Sequence, residues 1–198
     1  MIQKKNARLF IAIEIPAEVQ EKLYAGLWTS DPAKQNKIRL TQQRNLHLTL
    51  RFLGDVEVGQ INTLELALKT AARTAVPFEI RIDQGGAFPN WKQPRILWAG
   101  FEALPVLTNL YQEIQCSLNT IGFPKESKPF KPHITLARVP DYLTPLTDEE
   151  KSTLQQSLSQ IRINPFTVSQ ITLFQSDLSG KAPVYRIISR QDFGNMLI

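Results

Sequence analysis

The chain has 198 residues, 42% of them hydrophobic, with a formal net charge of +5 and a pI near 9.4. That is enough apolar material for a packed core, while the 23 basic residues are scattered rather than gathered into the dense run of a nucleic-acid arm. The only cysteine, Cys116, excludes an internal disulfide and a cysteine-rich zinc site and suits a reducing cytosol.

At the start, "MIQKKNARLFIAIEIP" has an apolar run too short for a signal peptide, broken by Glu14. No stretch approaches the roughly 18 apolar residues of a membrane span. "RLFIAIEI" (8–15) reads as a strand, and Pro16 opens a helix to about Leu27. "NLHLTLRFL" (45–53) is the next strand. Val58, Ile61, Leu64 and Leu68 then recur at helical spacing, predicting a helix over 57–74. "PFEIRI" (77–82) and "RILWAGF" (95–101) read as strands around a loop with Gly-Gly and Pro. A second helical stripe, Leu107, Leu110, Tyr111, Ile114, Leu118 and Ile121, ends at Gly122. "FKPHITLAR" (130–138) is a strand, Thr147 with Glu150 forms a capping box that starts a fourth helix, and "FTVSQITLF" (166–174) and "APVYRIIS" (182–189) close the chain as strands.

Within this series lies a repeat. The chain has two histidines, His47 and His133, each in a His-x-Thr-Leu frame, and 133 − 47 = 86. The same offset of 86 places "RLFIAIEI" on "PRILWAGF", and "PFEI" at Pro77 matches "PFTV" at Pro165 with an offset of 88. Strand, helix, His-x-Thr strand, helix, strand therefore occurs twice, the pattern of an internal duplication, with approximate repeats at 8–88 and 94–175 and a closing strand at 182–189.

Because side chains alternate along a strand, His47, Thr49 and Arg51 are expected on one face and Leu48, Leu50 and Phe52 on the other. The apolar faces pack on helices, leaving the two His-Thr pairs to meet across a concave surface. Imidazole titrates near neutrality, so one ring can accept a proton while its partner donates one. The threonine hydroxyls suit donation to phosphoryl oxygens as charge builds up. Zinc chemistry is disfavoured because neither motif has the additional ligands, so no metal or other cofactor is expected. A serine triad is disfavoured because no serine sits in a nucleophile-elbow frame.

The segments "RLFIAIEIP", "NLHLTLRFLGDV", "RILWAGF", "FKPHITLAR" and "LFQSDLSGKAPVYRII" resemble the two-histidine phosphoesterases, specifically the bacterial and archaeal RNA 2′,3′-cyclic phosphodiesterases historically called 2′-5′ RNA ligases. The resemblance implies an α+β fold of two pseudo-symmetric lobes, each an antiparallel sheet backed by helices, in a single bilobal domain with the site in a central cleft. It also implies His47 as proton donor to the leaving 3′ oxygen, His133 as proton acceptor from water, and Thr49, Thr135 and Arg138 as substrate-binding residues. The substrate implied is RNA ending in a 2′,3′-cyclic phosphate, or a small cyclic nucleotide, hydrolysed to a 2′-phosphomonoester. A cytoplasmic monomer without membrane association is expected. Two other readings stay open at this point: 2′-5′ RNA joining in the same site, and a module that binds RNA ends without turnover.

The remaining residues are graded by strand geometry. Strict alternation puts Arg138 opposite His133, so a phosphate role requires a bulge or strand end near Ala137. Arg51 is a secondary candidate for substrate contact. Phe52 is assigned to the core, Trp91 and Trp98 to packing or the rim, and Lys181 is a minor candidate for an anionic ligand.

Overall fold

A computed structural model of the chain describes residues 6–28, 37–141, 143–180 and 182–194. Lys181 lies outside them. The apolar alternation of the first segment folds as β1 (Asn6–Glu14), burying Leu9, Ile11 and Ile13 on one face. The helix α1 (Ala17–Trp28) follows, its first turn closed by Val19 and Gln20 amides donating to the Pro16 carbonyl at 2.9 Å. A two-residue strand, β2 (Arg39–Leu40), and a 3-10 turn at Gln43–Asn45 lead into β3 (His47–Glu57).

The helix expected from 57 begins later. Val58–Gln60 is a 3-10 turn with Val58 exposed, and α2 (Ile61–Arg73) buries Leu64, Ala67, Leu68, Ala71 and Ala72. β4 (Phe78–Ile80) comes next, and then β5 (Gln84–Phe88), where the sequence predicts a Gly-Gly loop. The glycines are required by crowding: a Cβ on Gly85 would stand 2.6 Å from the Leu158 carbonyl oxygen, and one on Gly86 2.7 Å from the Trp98 indole.

β6 (Ile96–Gly100) precedes α3 (Pro105–Asn119). α3 ends as its sequence predicts: Gly122 takes φ +93°, and the Phe123 amide reaches back to the Leu118 carbonyl at 3.0 Å. β7 (Ile134–Arg138) carries the second motif, and α4 (Asp148–Ser159) starts at the expected capping box, with Glu150 N–H donating to Thr147 Oγ1 at 3.2 Å and Thr147 N–H donating to Glu150 Oε2 at 2.7 Å. The next segment divides into β8 (Phe166–Val168) and β9 (Gln170–Asp177), and β10 (Val184–Asp192) completes the described strands.

The fold is α+β and antiparallel as expected, but the two halves share one sheet. Its order is β10-β9-β1-β3-β7-β6-β5, with β2 on β7, and β4 pairs separately with β8. Around the β3–β7 junction the order is symmetric: β1 faces β6 and β9 faces β5. Those partners keep the offset of the histidines, since 174 − 88 = 86 relates Phe174 on β9 to Phe88 on β5. Each half thus completes its sheet with a strand from the other half of the sequence.

β3 runs through Gly54 rather than stopping there, because Gly54 adopts φ +75° at a bulge opposite Leu9 and Phe10. No atom lies within 4 Å of a Cβ at Gly54 or at Gly59. Gly54→Ala is therefore expected to lose about 1–2 kcal/mol from backbone strain alone, and Gly59→Ala, without a positive φ, to gain roughly 0.4–1 kcal/mol. Urea unfolding of the two variants checks the contrast.

Candidate active site

The two motif strands meet at one pair, Leu48 with Ile134, both fully buried. Antiparallel direction then sets His47 beside Thr135 and Thr49 beside His133 on the opposite face. Cross-strand neighbours stand about 4.5–5.5 Å apart and diagonal ones about 7–8 Å, so the two histidines occupy opposite corners of a small polar square.

Both rings are held in the same way. His47 Nδ1–H donates to the Asn45 carbonyl at 2.7 Å, and His133 Nδ1–H donates to the Lys131 carbonyl at 2.7 Å. A carbonyl can only accept, so each Nδ1 carries the proton and each Nε2 is the nitrogen left for chemistry. The Asn45 side chain is itself buried and donates from Nδ2 to the Pro183 carbonyl at 2.8 Å, tying the approach to His47 to the segment before β10.

A matched pair of bulges sets the facing of the residues just beyond each motif. β1 skips Leu50, pairing Ile11 with Arg51 and Ala12 with Thr49; β6 skips Leu136, pairing Leu97 with Ala137 and Trp98 with Thr135. Each bulge puts two consecutive residues on the core side and turns the next one out. Leu136 and Ala137 are buried and Arg138 is exposed on the His133 side, so the bulge needed to bring Arg138 to the motif face is present.

In β3 the same device reverses two expectations. Arg51 does not share the face of His47: it is 7% exposed, donates to Gln115 Oε1 at 3.1 Å and to the Pro124 carbonyl, and pairs with Glu126 at 3.3 Å. Phe52 is not in the core: it is 62% exposed, 6.0 Å from Phe10 between centroids. By the offset of 86, Phe52 occupies the position of Arg138.

The surroundings of the two rings differ. His47 lies 4.9 Å from Phe10 and 5.3 Å, edge to face, from Tyr185. His133 meets Phe88 edge to face at 5.0 Å. Burial holds the His47 pKa below the ordinary imidazole value; the Asn45 carbonyl opposes that shift and the charge on His133 adds to it. Burial raises the Tyr185 pKa against the pull of the Arg138 charge. Among the described residues Thr49 and Thr135 hydroxyls have no hydrogen-bond partner and Arg138 has no ion pair, and no three His, Cys, Asp or Glu side chains come together to hold a metal ion. Trp91 is partly buried against the core, and Trp98 lines a cavity beside His133.

Sequence reasoning missed Asn45 and Tyr185. Asn45 was legible only as the last polar residue of "TQQRN", two before the histidine, whereas the position of Tyr185 depends on the order of strands and leaves no local signal. Among the described residues no helix is long and apolar enough to cross a membrane.

Comparison with known proteins identifies the relatives of this chain. The family model for LigT-like phosphoesterases matches residues 13–98 and again 102–185. The chain is 30% identical to the RNA 2′,3′-cyclic phosphodiesterase of Archaeoglobus fulgidus, covering 90% of this chain and 96% of that one. It is 35% identical to the protein of that name from Escherichia coli over 66% of this chain and 71% of the relative. Its fold is similar to a Thermus thermophilus crystal structure with a TM-score of 0.79 at 28% identity, covering 95% and 99% of the two chains. The structure of E. coli LigT complexed with 3′-AMP matches with a TM-score of 0.72 at 26% identity, covering 96% and 99%.

The environment of Arg51 and His47 leads to two expectations. Arg51→Ala leaves the Pro124 carbonyl without its donor and Glu126 without its cation, Gln115 Oε1 still accepting from the Glu126 N–H at 3.1 Å, and should cost about 2–4 kcal/mol in chemical denaturation, with the folded variant keeping near wild-type turnover. In an NMR titration His47 should titrate below the ordinary imidazole value. In His133→Ala, where the like charge is gone and His47 is the sole histidine, its pKa should move up.

Proposed function

The chain belongs to the LigT-like phosphoesterase family, and we propose that it hydrolyses terminal RNA 2′,3′-cyclic phosphates to 2′-phosphomonoesters by metal-independent acid-base catalysis. The observation that carries this reading is the matched pair of Nδ1–H bonds at 2.7 Å, which leave two equivalent Nε2 atoms for proton transfer on one face. One nucleophile and one leaving group in line through phosphorus need one base and one acid.

His133 Nε2 takes a proton from water as its oxygen attacks phosphorus. The P–O3′ bond breaks, and protonated His47 Nε2 delivers its proton to O3′, leaving phosphate on the 2′ oxygen. Thr49, Thr135 and Arg138 donate to the non-bridging oxygens, whose charge grows in the transition state. The direction follows from the family resemblance. Burial disfavours the charged form of His47 in the free protein, and a phosphodiester anion between the rings favours that form when substrate is bound. Phe52, turned outward at the position matching Arg138, offers a face for the terminal base.

All five of these polar side chains come from one chain, which supports action as a monomer, and the lone Cys116 supports a reducing, cytoplasmic setting. The two halves, approximately 8–88 and 94–175, work as one bilobal domain.

Incubation of the protein with RNA ending in a 2′,3′-cyclic phosphate, in the presence of EDTA, should give a 2′-phosphate end. His47→Ala and His133→Ala should each lower turnover by a factor on the order of 10² to 10⁴ while remaining folded. A better leaving group at the 3′ position should rescue His47→Ala far more than His133→Ala, because an easily expelled oxygen needs no proton. A 3′-phosphate product, or rescue of the His133 variant instead, would reverse the assignment.

A further inference from the structure

Near His133 a cavity of about 630 Å³ opens, walled by Phe88 and Trp98, by α3 with the loop before it, and by the segment that precedes β7. Trp98 lines it. The indole lies against the sheet because glycines leave the backbone bare beneath it: a Cβ would stand 2.7 Å from the ring at Gly86, its partner on β5, and 3.0 Å at Gly100, two residues along β6. Phe88 extends this surface, stacked on Trp98 with centroids 5.2 Å apart and planes at 23°, and its ring in turn meets His133 at a near-perpendicular 83°. Aromatic surface therefore runs unbroken from the imidazole into the cavity.

The rim is cationic. Lys125, Lys128 and Lys131 are exposed and line the cavity, with Lys131 Nζ 5.9 Å above the Phe88 ring centroid. Glu126, the one carboxylate among the lining residues, already pairs with Arg51 at 3.3 Å and accepts from Tyr111 at 3.2 Å, so little of its charge is left to oppose an anion.

The other half has no such platform. At the offset of 86, Trp98 corresponds to Ala12, which is fully buried. There β10 extends the sheet beyond β9 and brings Tyr185 to 4.9 Å from Phe10, whereas among the described residues no strand lies beyond β5. The open cavity is a feature of the His133 side.

We infer that this cavity is a subsite for a second nucleotide of the RNA substrate, the neighbour on the 5′ side of the residue bearing the cyclic phosphate, with its base on Trp98 and its phosphate among the lysines. The inference rests on the cyclic phosphodiesterase reading of the paired histidines. An aromatic surface with lysines along one rim is the complement of a base joined to a phosphate, and the volume lies in the range that encloses a small ligand. A chain that ends in a cyclic phosphate continues only on its 5′ side, so the substrate strand itself supplies that neighbour. Stacking accepts every base, which makes the subsite a sensor of chain length rather than of sequence.

The test compares a 2′,3′-cyclic mononucleotide with a dinucleotide ending in the same cyclic nucleotide. The wild-type kcat/KM should favour the dinucleotide by roughly 10- to 100-fold, the range expected of one stacked base. Trp98→Leu, which keeps apolar volume under Phe88, should collapse that ratio. The double variant Lys125→Gln/Lys128→Gln alters only exposed side chains; it should lower the ratio and flatten its decline with salt. As a binding readout, the dinucleotide 2′-phosphate should quench tryptophan fluorescence in the wild type far more than in Trp98→Leu. No dinucleotide advantage in the wild type, or an advantage that persists in a folded Trp98→Leu variant, overturns the subsite. If neither cyclic substrate is hydrolysed, the phosphodiesterase reading fails, and dinucleotide quenching of Trp98 still decides whether the cavity takes nucleotides.

Discussion

The pairing of Leu48 with Ile134 is the join on which the rest of the site depends. Both side chains are buried, so this contact fixes the face as well as the register: the histidine and threonine on either side must point the other way. A slip of one residue would send one His-Thr pair into the core, where desolvation of an imidazole and a hydroxyl without partners would oppose it. The halves are also held together away from this point. β4 pairs with β8, and β9 and β5 each complete the sheet of the opposite half. Strand exchange makes the spacing of the two imidazoles a property of the whole sheet.

Rigid backbone placement is followed by rigid orientation of the rings. Both Nδ1–H groups are used up locally, on carbonyls two residues earlier, so neither imidazole can rotate without losing a bond of 2.7 Å. A carbonyl does this equally well from asparagine or lysine, which is why residues 45 and 131 differ in type and agree in role. The side chain of Asn45 then has a separate use, anchoring to Pro183. Burial of His47 and the charge on His133 disfavour protonation of both rings together, so the free site is biased away from the doubly charged state and an anion relieves that bias.

The duplication, the paired histidines and the four helices were legible because each rests on a period or a local cap: the His-x-Thr frames on alternation, Thr147–Glu150 on a capping box and Gly122 on a left-handed turn. Arg51 and Phe52 take the faces opposite to those that alternation predicts, because the bulge that exchanges them sits at Leu50, a residue with no conformational signature. Bulges arise here from the demands of the neighbouring strand. β5 was hidden for a related reason. Gly85 and Gly86 signal a loop when only the chain is considered, and become intelligible when Leu158 and Trp98 press against their faces. The contribution of β10 beside His47 is a question of topology, which no window of sequence contains.

Equivalent positions in the two halves show where duplication was kept and where it was abandoned. His47 and His133, Thr49 and Thr135, and Leu50 and Leu136 agree in identity, and the bulges agree in place. Immediately beyond them identity ends: at the offset of 86, Arg51 corresponds to Ala137, Phe52 to Arg138, Ala12 to Trp98 and Glu14 to Gly100. The shared positions are the ones to which proton transfer is assigned in the proposed reaction, a role that is symmetric because acid and base exchange places when a reaction is reversed. A nucleotide end is not symmetric, having a charged phosphate on one side and flat bases on the other. An aromatic at position 52 where the other half has a guanidinium at position 138, and an indole laid over glycine near one imidazole only, are the differences by which a two-fold scaffold can hold such an end in a single orientation.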